Sequence, residues 1–443
     1  MKSWRILPLA LAVGLAVAGP ARAEGLLALY EAARAYDAAW QSAKAQYDAN
    51  VARAEQARAG ILPQAGVSAG LTRNIFNSDV TGNPPVDRNF TTQQATLSAS
   101  QPLYRPANLA TYRQGQRQLE LAEYQLTASS QDLMIRVSQA YFDVLLAQDT
   151  LASVQAQKAA TAEQLASAKR NFEVGTSTIT DTREAQARYD LVLAGEIAAE
   201  NDLRVKKIAL DILVGRNDID PSPLVTPLDV PPPQPPSPEP WVAASEDNSP
   251  AILQAKKAVE IAELETEKAK AGKKPTIDLT TSYGITRGLG GSTTLVQDSR
   301  INNGNIGFAL NWPLFTGYAV ENRIRETLSL EDKARADLEA TRRQVAQAVR
   351  TAYFGVLSGT GQVRALEAAE TSSQSALEAN RLGYQVGVRI NIDVLNAQSQ
   401  LYQTKRDLAQ ARYNVLLGHL KLRQANGTLQ AEDLARLNLL LAR

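Results

Sequence analysis

The 443-residue sequence contains no cysteine and a single histidine, His419. The absence of cysteine excludes disulfide bonds, thiolate metal sites, thiol nucleophiles and an acylated lipoprotein cysteine. One histidine leaves little scope for histidine-based metal binding or acid–base catalysis. Basic and acidic side chains number 47 and 46, so the chain lacks the basic excess of a general nucleic-acid binder. Aromatic residues reach only 6%, which suits long helices better than a compact enzyme core.

The first 23 residues have the three parts of a secretory signal peptide. Lys2 and Arg5 are basic, residues 6–19 are apolar, and Ala21-Arg22-Ala23 places small residues where a signal peptidase cleaves. The alternative is a membrane anchor, but this apolar run is shorter than the ~20 residues that span a bilayer. We predict that residues 1–23 are removed and that the chain is exported. Since no later stretch resembles a transmembrane helix, any contact with a membrane is expected through strands.

An internal repeat with an offset of 212 residues runs through the remaining sequence. Five short motifs recur at this spacing or one residue less: Gly60 and Pro63 as Gly272 and Pro275, Pro102-Leu103-Tyr104 as Pro313-Leu314-Phe315, Ala140-Tyr141-Phe142 as Ala352-Tyr353-Phe354, Val174-Gly175 as Val386-Gly387, and Asp181 as Asp393. Ten prolines between 221 and 240 indicate an extended linker. We therefore predict a first repeat over 24–220, a linker over 221–248, a second repeat over 249–428 and a C-terminal segment over 429–443.

Each half is predicted to contain a helix, two strands, a very long helix and a returning helix. Residues 24–62 carry few helix breakers and are expected to form one helix that Pro63 ends. Apolar and polar residues then alternate over 65–72, 95–100, 276–285 and 305–312, the period-two pattern of strands with one apolar face. Each alternation is near the length of a tilted membrane strand. Residues 74–90 and 287–304 are rich in Asn, Gly, Asp and Pro and are expected to be hairpin loops.

The strands have two interpretations. They either form a small soluble sheet packed on helices, or they cross a membrane. A soluble sheet needs a partner layer with a matching apolar surface, whereas the helices here use their apolar stripes on one another. Four strands also cannot close a barrel alone, since the smallest known barrels have eight. If the strands span a membrane, several chains must share one barrel.

Apolar residues follow a three–four spacing over 109–154 and again over 345–366. This spacing is typical of a helix that packs along one seam in a left-handed coiled coil. No proline interrupts 109–172 or 318–386, and about 65 residues at 1.5 Å each form a rod of about 100 Å. The segments 181–214 and 392–424 continue the pattern as returning helices.

The chain resembles the TolC family of outer-membrane channel-tunnels. The resemblance covers the whole mature chain and is most specific in residues 174–181, 384–397 and 426–429. It implies a mainly helical homotrimer in the outer membrane, with a coiled-coil α-barrel in the periplasm and four strands per chain in a shared twelve-stranded β-barrel. The C-terminal segment is then expected beside the equator of the α-barrel. The resemblance also implies docking to a periplasmic adaptor and an inner-membrane ABC or proton-driven transporter, for type I protein secretion or small-molecule efflux, with no cofactor.

The same resemblance assigns functions to residues at the far tip of the helices. Thr180 and Asp181 face Tyr384 and Arg389, and their bonds hold the tip closed. Asp393 occurs three times around the trimer axis and forms a cation-binding constriction, where Asn396 replaces the family's second acidic residue. The turns that contain Val174, Gly175, Val386 and Gly387 are the expected adaptor-docking sites.

Some of these residues also have simpler explanations. The simpler explanation for Asp393 is that the helix dipole favours an acidic side chain near a helix N-terminus, as for Asp181. Tyr104 and Trp312, at the strand–helix junctions, are expected to meet the membrane interface, or alternatively to pack a hinge.

Two other functional classes stay open at this point. A periplasmic or secreted coiled-coil scaffold without a pore would use its strands only for packing and would be soluble without detergent. An enzyme would need a catalytic constellation, and none is visible in the sequence. The glycine-rich stretch 288–293 lacks the lysine and the following helix of a phosphate-binding loop, so we expect an exposed hairpin loop there.

Overall fold

The computed structural model describes residues 25–225 and 232–441. The predicted signal peptide lies outside these residues, as does the middle of the predicted linker. Within the described ranges the chain forms nine helices and four strands: α1 (Leu26–Tyr36), α2 (Ala38–Ala59), β1 (Gln64–Ser78), β2 (Val86–Tyr104), α3 (Pro106–Glu173), α4 (Ile179–Val214), α5 (Glu239–Asn248), α6 (Pro250–Ala271), β3 (Thr276–Leu289), β4 (Ser299–Asn311), α7 (Ala319–Gln385), α8 (Asn391–Ala425) and α9 (Ala431–Asn438). The predicted mainly helical fold with a small β part is confirmed.

Equivalent elements in the two halves begin 212 or 213 residues apart. α2 and α6 begin at 38 and 250, β1 and β3 at 64 and 276, and α4 and α8 at 179 and 391. The spacing of the sequence repeat is therefore also the spacing of the secondary structure. Each half contributes a short helix, a longer helix, a β-hairpin, a rod-length helix and a returning helix.

The prediction of one helix over 24–62 is wrong, because Asp37 divides it into α1 and α2. Asp37 has an extended backbone (φ −56°, ψ 120°), and its carboxylate accepts a hydrogen bond of 2.7 Å from the backbone N–H of Trp40, which caps α2. The same carboxylate accepts two hydrogen bonds of 2.9 and 3.1 Å from the Arg136 guanidinium on α3. The helix start is therefore held by a local cap, which the sequence analysis did not recognise, and by a contact with a residue 99 positions away.

Replacing Asp37 by alanine is expected to destabilise the protein by about 2 kcal/mol, roughly 1 for the lost cap and 1 for the half-exposed ion pair. The Arg136 hydrogen bonds hold the pKa of Asp37 below its ordinary value, outweighing the opposite effect of burial. This stabilisation is present above about pH 4 and is lost as the pH falls through the lowered pKa. The midpoint of thermal unfolding in detergent, measured from pH 7 to pH 3, tests both statements.

Ser249→Ala is the matched control, because Ser249 occupies the equivalent position before α6 and makes no side-chain capping hydrogen bond. Its midpoint should fall less than that of Asp37→Ala. Equal losses for the two variants would show that the Asp37 carboxylate contributes nothing specific.

The rod-length helices α3 and α7 contain 68 and 67 residues, about 100 Å each, and pack against the returning helices α4 and α8. Small residues permit close packing of α7 on α8: a Cβ at Gly359 would lie 2.8 Å from Val415, and one at Gly418 would lie 3.1 Å from Val356. The predicted coiled-coil rods are confirmed. No helix in the described part of the chain is both long and apolar enough to cross a membrane.

The four strands form one antiparallel sheet in the order β1-β2-β3-β4. The strands are longer than predicted, at 13 to 19 residues, and much of the two stretches expected as loops is strand. β1 and β2 remain paired as far as Ser78 and Val86, which leaves residues 79–85 and 290–298 as the connections. The loop assignment was wrong because the polar ends of these strands use the same residue types as loops. The glycine-rich stretch 288–293 lies in the β3–β4 hairpin, as expected.

The two faces of the sheet differ in polarity. Cross-strand partners on one face are mainly apolar: Val67 with Leu97, Leu97 with Tyr283, Ala95 with Ile285, and Leu279 with Phe308. On the other face the partners are small and polar: Ser68 with Thr96, Thr96 with Gly284, Ser98 with Ser282, and Thr280 with Gly307. An apolar outer face and a polar inner face are what a membrane barrel with a water-filled lumen requires.

The largest buried cluster lies midway along the helices and joins the start and end of the described chain. Leu26 and Leu29 of α1 pack with Leu434 of α9 and with residues of α3, α4 and α8. The bridge between Leu224 and Leu441 attaches the C-terminal segment to the residues after α4. This cluster fixes the end of each coiled-coil pair that is remote from the tip.

Candidate functional site

The α3–α4 and α7–α8 turns at the tip have nearly the same geometry. Gly175 and Gly387 both have φ of +80°, a left-handed conformation that favours glycine. Their N–H groups donate to the carbonyls of Phe172 and Tyr384, which satisfies backbone groups at the two helix ends. The side chains of Val174 and Val386 are 72% and 65% exposed. The two turns thus present glycine and solvent-facing valine at equivalent positions.

The carboxylate of Asp181 is held by its own turn. Its Oδ2 atom accepts hydrogen bonds from the Ser177 hydroxyl (2.6 Å), the Thr178 hydroxyl (2.8 Å) and the Thr178 backbone N–H (3.0 Å). Burial raises the pKa of Asp181, but these hydrogen bonds outweigh it and hold the pKa below its ordinary value. Within the described residues, no hydrogen bond or ion pair joins this carboxylate to Tyr384 or Arg389 of the same chain. The Oδ1 atom accepts none of these three bonds.

Asp393 has the equivalent position in the second half but a different environment. The residue before α8 is Ile390, which has no side-chain capping group, so Asp393 forms no capping box. Its carboxylate lies 3.7 Å from the Arg389 guanidinium. Asp393 is therefore less constrained by its own turn than Asp181, although the two are related by the repeat.

Asn396 lies one helical turn beyond Asp393 and contacts an arginine of the other hairpin. The Asn396 side-chain oxygen accepts a hydrogen bond of 3.0 Å from the Arg188 guanidinium on α4. Within the protomer, the Asn396 oxygen is thus already hydrogen-bonded to the positively charged guanidinium of Arg188. Arg188 also places a positive charge beside the predicted constriction.

Several predicted gate residues surround one groove between the two hairpins, with a volume of about 870 Å³. Asp181, Tyr384 and Arg389 line it, together with Gly387. The Tyr384 hydroxyl accepts a hydrogen bond of 3.2 Å from the Asn171 amide on α3. Thr180 is exposed and does not line the groove. The structure thus brings three of the four predicted gate residues to one place.

A buried asparagine that the sequence analysis did not identify links the two hairpins. Asn391, the first residue of α8, is 0% exposed. Its amide nitrogen donates to the backbone carbonyl of Asp181 at 3.1 Å, and its oxygen accepts from the Gln164 amide on α3. One side chain therefore joins α3, α4 and α8 directly behind the turns.

Asn391→Ala is expected to loosen the tip, because it leaves a buried carbonyl and a buried amide unpaired, at a cost of about 1–3 kcal/mol. Amide hydrogen exchange in residues 174–178 and 386–390 should become faster, while exchange in the central cluster should not change. Asn380→Ala is the control, since the partly exposed Asn380 side chain donates a hydrogen bond to the carbonyl of Ala376 within its own helix α7. Identical exchange at the tip in the two variants would contradict the linking role of Asn391.

Tyr104 and Trp312 lie at the opposite end of the long helices. Tyr104 ends β2 and Trp312 follows β4, and the two side chains are 44% and 57% exposed. The indole N–H of Trp312 donates to the carbonyl of Lys273 at 3.2 Å. Both rings thus lie at the base of the sheet and are partly exposed. Whether they meet a membrane interface or pack a hinge stays a prediction.

Comparison with known families identifies the repeat unit. The model of the outer membrane efflux protein family matches residues 29–216 and again 241–428. The outer membrane protein TolC of Vibrio cholerae is 33% identical over 98% of both chains. TolC of Escherichia coli is 31% identical over 96% of this chain and 87% of its own. The alkaline protease secretion protein AprF of Pseudomonas aeruginosa is 32% identical over 93% of this chain and 86% of its own.

Solved structures agree on the fold. The outer membrane protein VceC of Vibrio cholerae superposes with a TM-score of 0.79 at 21% identity, covering 91% of this chain and 96% of its own. The open state of the MtrE channel of Neisseria gonorrhoeae superposes with a TM-score of 0.73 at 18% identity, covering 92% and 90%. Nothing in these matches supports a scaffold without a pore. The chain therefore belongs to the outer membrane efflux protein family, the family of the TolC channels.

Proposed function

We propose that three copies of this chain form the outer-membrane duct of an export complex, completed by a periplasmic adaptor and an inner-membrane transporter. The chain itself is an outer-membrane channel for efflux and type I secretion, with its helices in the periplasm.

The open edges of the sheet are the main support for a trimer. β1 and β4 each have a neighbour on one side only, so each leaves a row of backbone groups unpaired. Unpaired backbone groups cannot be left in lipid, and closure needs more strands than one chain supplies. Three chains with four strands each make a closed barrel of twelve. The polar face of the sheet then lines a common lumen.

Exposed apolar side chains on the outer helices support the same assembly. Val205, Ile208 and Ile212 of α4 are 51–71% exposed and follow a three–four spacing. Phe354 and Leu357 of α7 are also about half exposed. α4 and α7 lie at opposite edges of the protomer, because the contacts between the two hairpins are mainly those of α3 with α8. A ring of three protomers would bury both edges against each other.

The turns at the tip are the proposed adaptor-docking sites. Val174, Gly175, Val386 and Gly387 face solvent, and Val388 and Ile390 extend the apolar surface around the second turn. Exposed valines beside glycines offer a small apolar surface with room for another chain to approach. We infer that substrate choice lies with the transporter rather than with this duct, and that the chain performs no catalysis.

Three experiments test this function. Light scattering in detergent should give the mass of three chains, and planar bilayers should show single channels of uniform conductance. A monodisperse monomer would exclude the trimer. Deleting the gene should impair protein export, raise drug sensitivity, or both, and complementation should restore the loss. Unchanged export and sensitivity after deletion would contradict the proposed complex.

A further inference from the structure

Three arginines lie on the apolar face of the sheet, near the hairpin loops. Along β1 this face runs through Val67 and Leu71 to Arg73. Along β3 it runs through Tyr283 and Ile285 to Arg287, and along β4 through Phe308 and Ile306 to Arg300. All three arginines are exposed. The strand pairing puts Arg287 and Arg300 directly opposite each other, and Arg73 one step further towards the loops.

The arginines lie at the outer surface of the membrane. The helices are periplasmic, so the hairpin loops at 79–85 and 290–298, at the other end of the strands, face the cell exterior. From Trp312 to Arg300 there are 12 residues, or about 40 Å along an extended strand. A tilt of about 40° reduces this to about 30 Å across the membrane, the thickness of the hydrocarbon core. The arginine row is then level with the outer head groups.

Within the described part of the chain, these charges have no neutralising partner. Arg73, Arg287 and Arg300 make no hydrogen bond or ion pair with any residue in the described ranges. Arg287 and Arg300 face each other across β3 and β4, and directly opposed like charges destabilise a sheet. The strand neighbours on the other side are Thr91 and Gln93 of β2, which are neutral. The nearest strand acid on this face, Asp87, lies four residues beyond Thr91 towards the loop. Asp298, just before β4, accepts a hydrogen bond of 2.7 Å from the backbone N–H of Gly290 in the hairpin loop.

We propose that Arg73, Arg287 and Arg300 form a binding strip for the phosphate groups of a lipid in the outer leaflet. The planar guanidinium donates two parallel hydrogen bonds to a phosphate, and two opposed arginines can hold one phosphate between them. The apolar residues directly below, Leu71 and Ile285, contact the acyl chains of the same molecule. Since this combination of charge and apolar surface fits a lipid better than a free anion, the strip anchors the barrel at a fixed depth.

The strip is tested by lipid retention on the purified trimer. Immobilised protein is incubated with lipid A that carries two phosphates, or with the same lipid after phosphatase treatment, and the retained lipid is measured by mass spectrometry. The wild type should retain at least tenfold more of the phosphorylated lipid. The triple variant Arg73→Gln, Arg287→Gln, Arg300→Gln should retain both lipids equally. Raising the salt concentration should release the phosphorylated lipid only.

Two further sets of variants distinguish an effect of the three strand arginines from an effect of positive charge elsewhere on the protein. Lys44→Gln, Arg53→Gln and Arg58→Gln together remove three exposed positive charges from α2 and should leave retention unchanged. Replacing the three strand arginines by lysine should keep part of the retention, because the charge remains and the planar fork is lost. If the triple glutamine variant does not assemble, Arg287→Gln and Arg300→Gln are measured singly. Each should retain two- to threefold less of the phosphorylated lipid than the wild type. Equal retention of the two lipids by the wild type, undiminished retention by the glutamine variants, or equally strong binding of inorganic phosphate would overturn the proposal.

Discussion

Tyr384→Phe combined with Arg389→Ser is expected to raise the single-channel conductance of the trimer in planar bilayers severalfold. Both side chains line the groove between the hairpins, yet neither is engaged by Asp181 of its own chain. The Arg389 guanidinium is exposed, and among the described residues its one ion-pair partner is Asp393, at 3.7 Å. The Oδ1 atom of Asp181 is free to accept a bond, so the closing contact is expected between neighbouring subunits.

The expected magnitude follows from the number of copies. One exposed ion pair contributes at most about 1 kcal/mol. Three copies around the axis contribute about 3 kcal/mol, enough to shift a two-state equilibrium between closed and open tips by about a hundredfold. Arg343→Ser is the control, because Arg343 is exposed on α7 and forms its ion pair with Glu339 of the same helix. If the double variant and this control conduct alike, closure depends on other contacts, with Asn391 as the first candidate.

The regular part of the fold could be predicted from the sequence because each element repeats a local pattern. The period of two identified the strands, and the three–four spacing without proline identified the rods. The start of α2 had a local signal, since Asp37 is a preferred N-cap residue and caps Trp40, but we did not recognise it. The additional contact of Asp37 with Arg136 on a distant helix could not be predicted. The extent of β1 and β2 was underestimated because strand residues beyond the membrane, such as Asn74 and Asn77, are polar like those of loops.

The candidate site shows a similar division. Thr178 and Asp181 have the spacing of a capping box, so the local role of Asp181 was present in the sequence, although we did not assign it. Asn391 and Arg188 could not be identified, because their partners are more than 200 residues away. The repeat alone suggested that Asp181 and Asp393 are alike. The exchange of Thr178 for Ile390 before the second helix makes them different.

That difference underlies the expected ion selectivity of the channel. We predict a cation-selective channel in which Asp393→Asn abolishes the selectivity. Ile390 provides no side chain for a capping box, so the Asp393 carboxylate is not held by capping hydrogen bonds as that of Asp181 is. In a trimer this carboxylate occurs three times around the axis. A narrow ring of carboxylates favours cations. Asn396 adds no charge, and its oxygen is already bonded to Arg188, so one acidic ring acts alone.

Block by multivalent cations is expected in the millimolar range, since a single ring with Arg389 nearby offers little charge for tight coordination. The measurements are the reversal potential in a salt gradient and the block by a trivalent cation. Asp181→Asn is the matched control: it weakens the capping box and loosens the tip, but it should leave the reversal potential unchanged. Asp393→Asn removes one negative charge per subunit and keeps the size of the side chain. If the reversal potential is unchanged in this variant while the trimer is intact, the selectivity arises elsewhere in the tunnel.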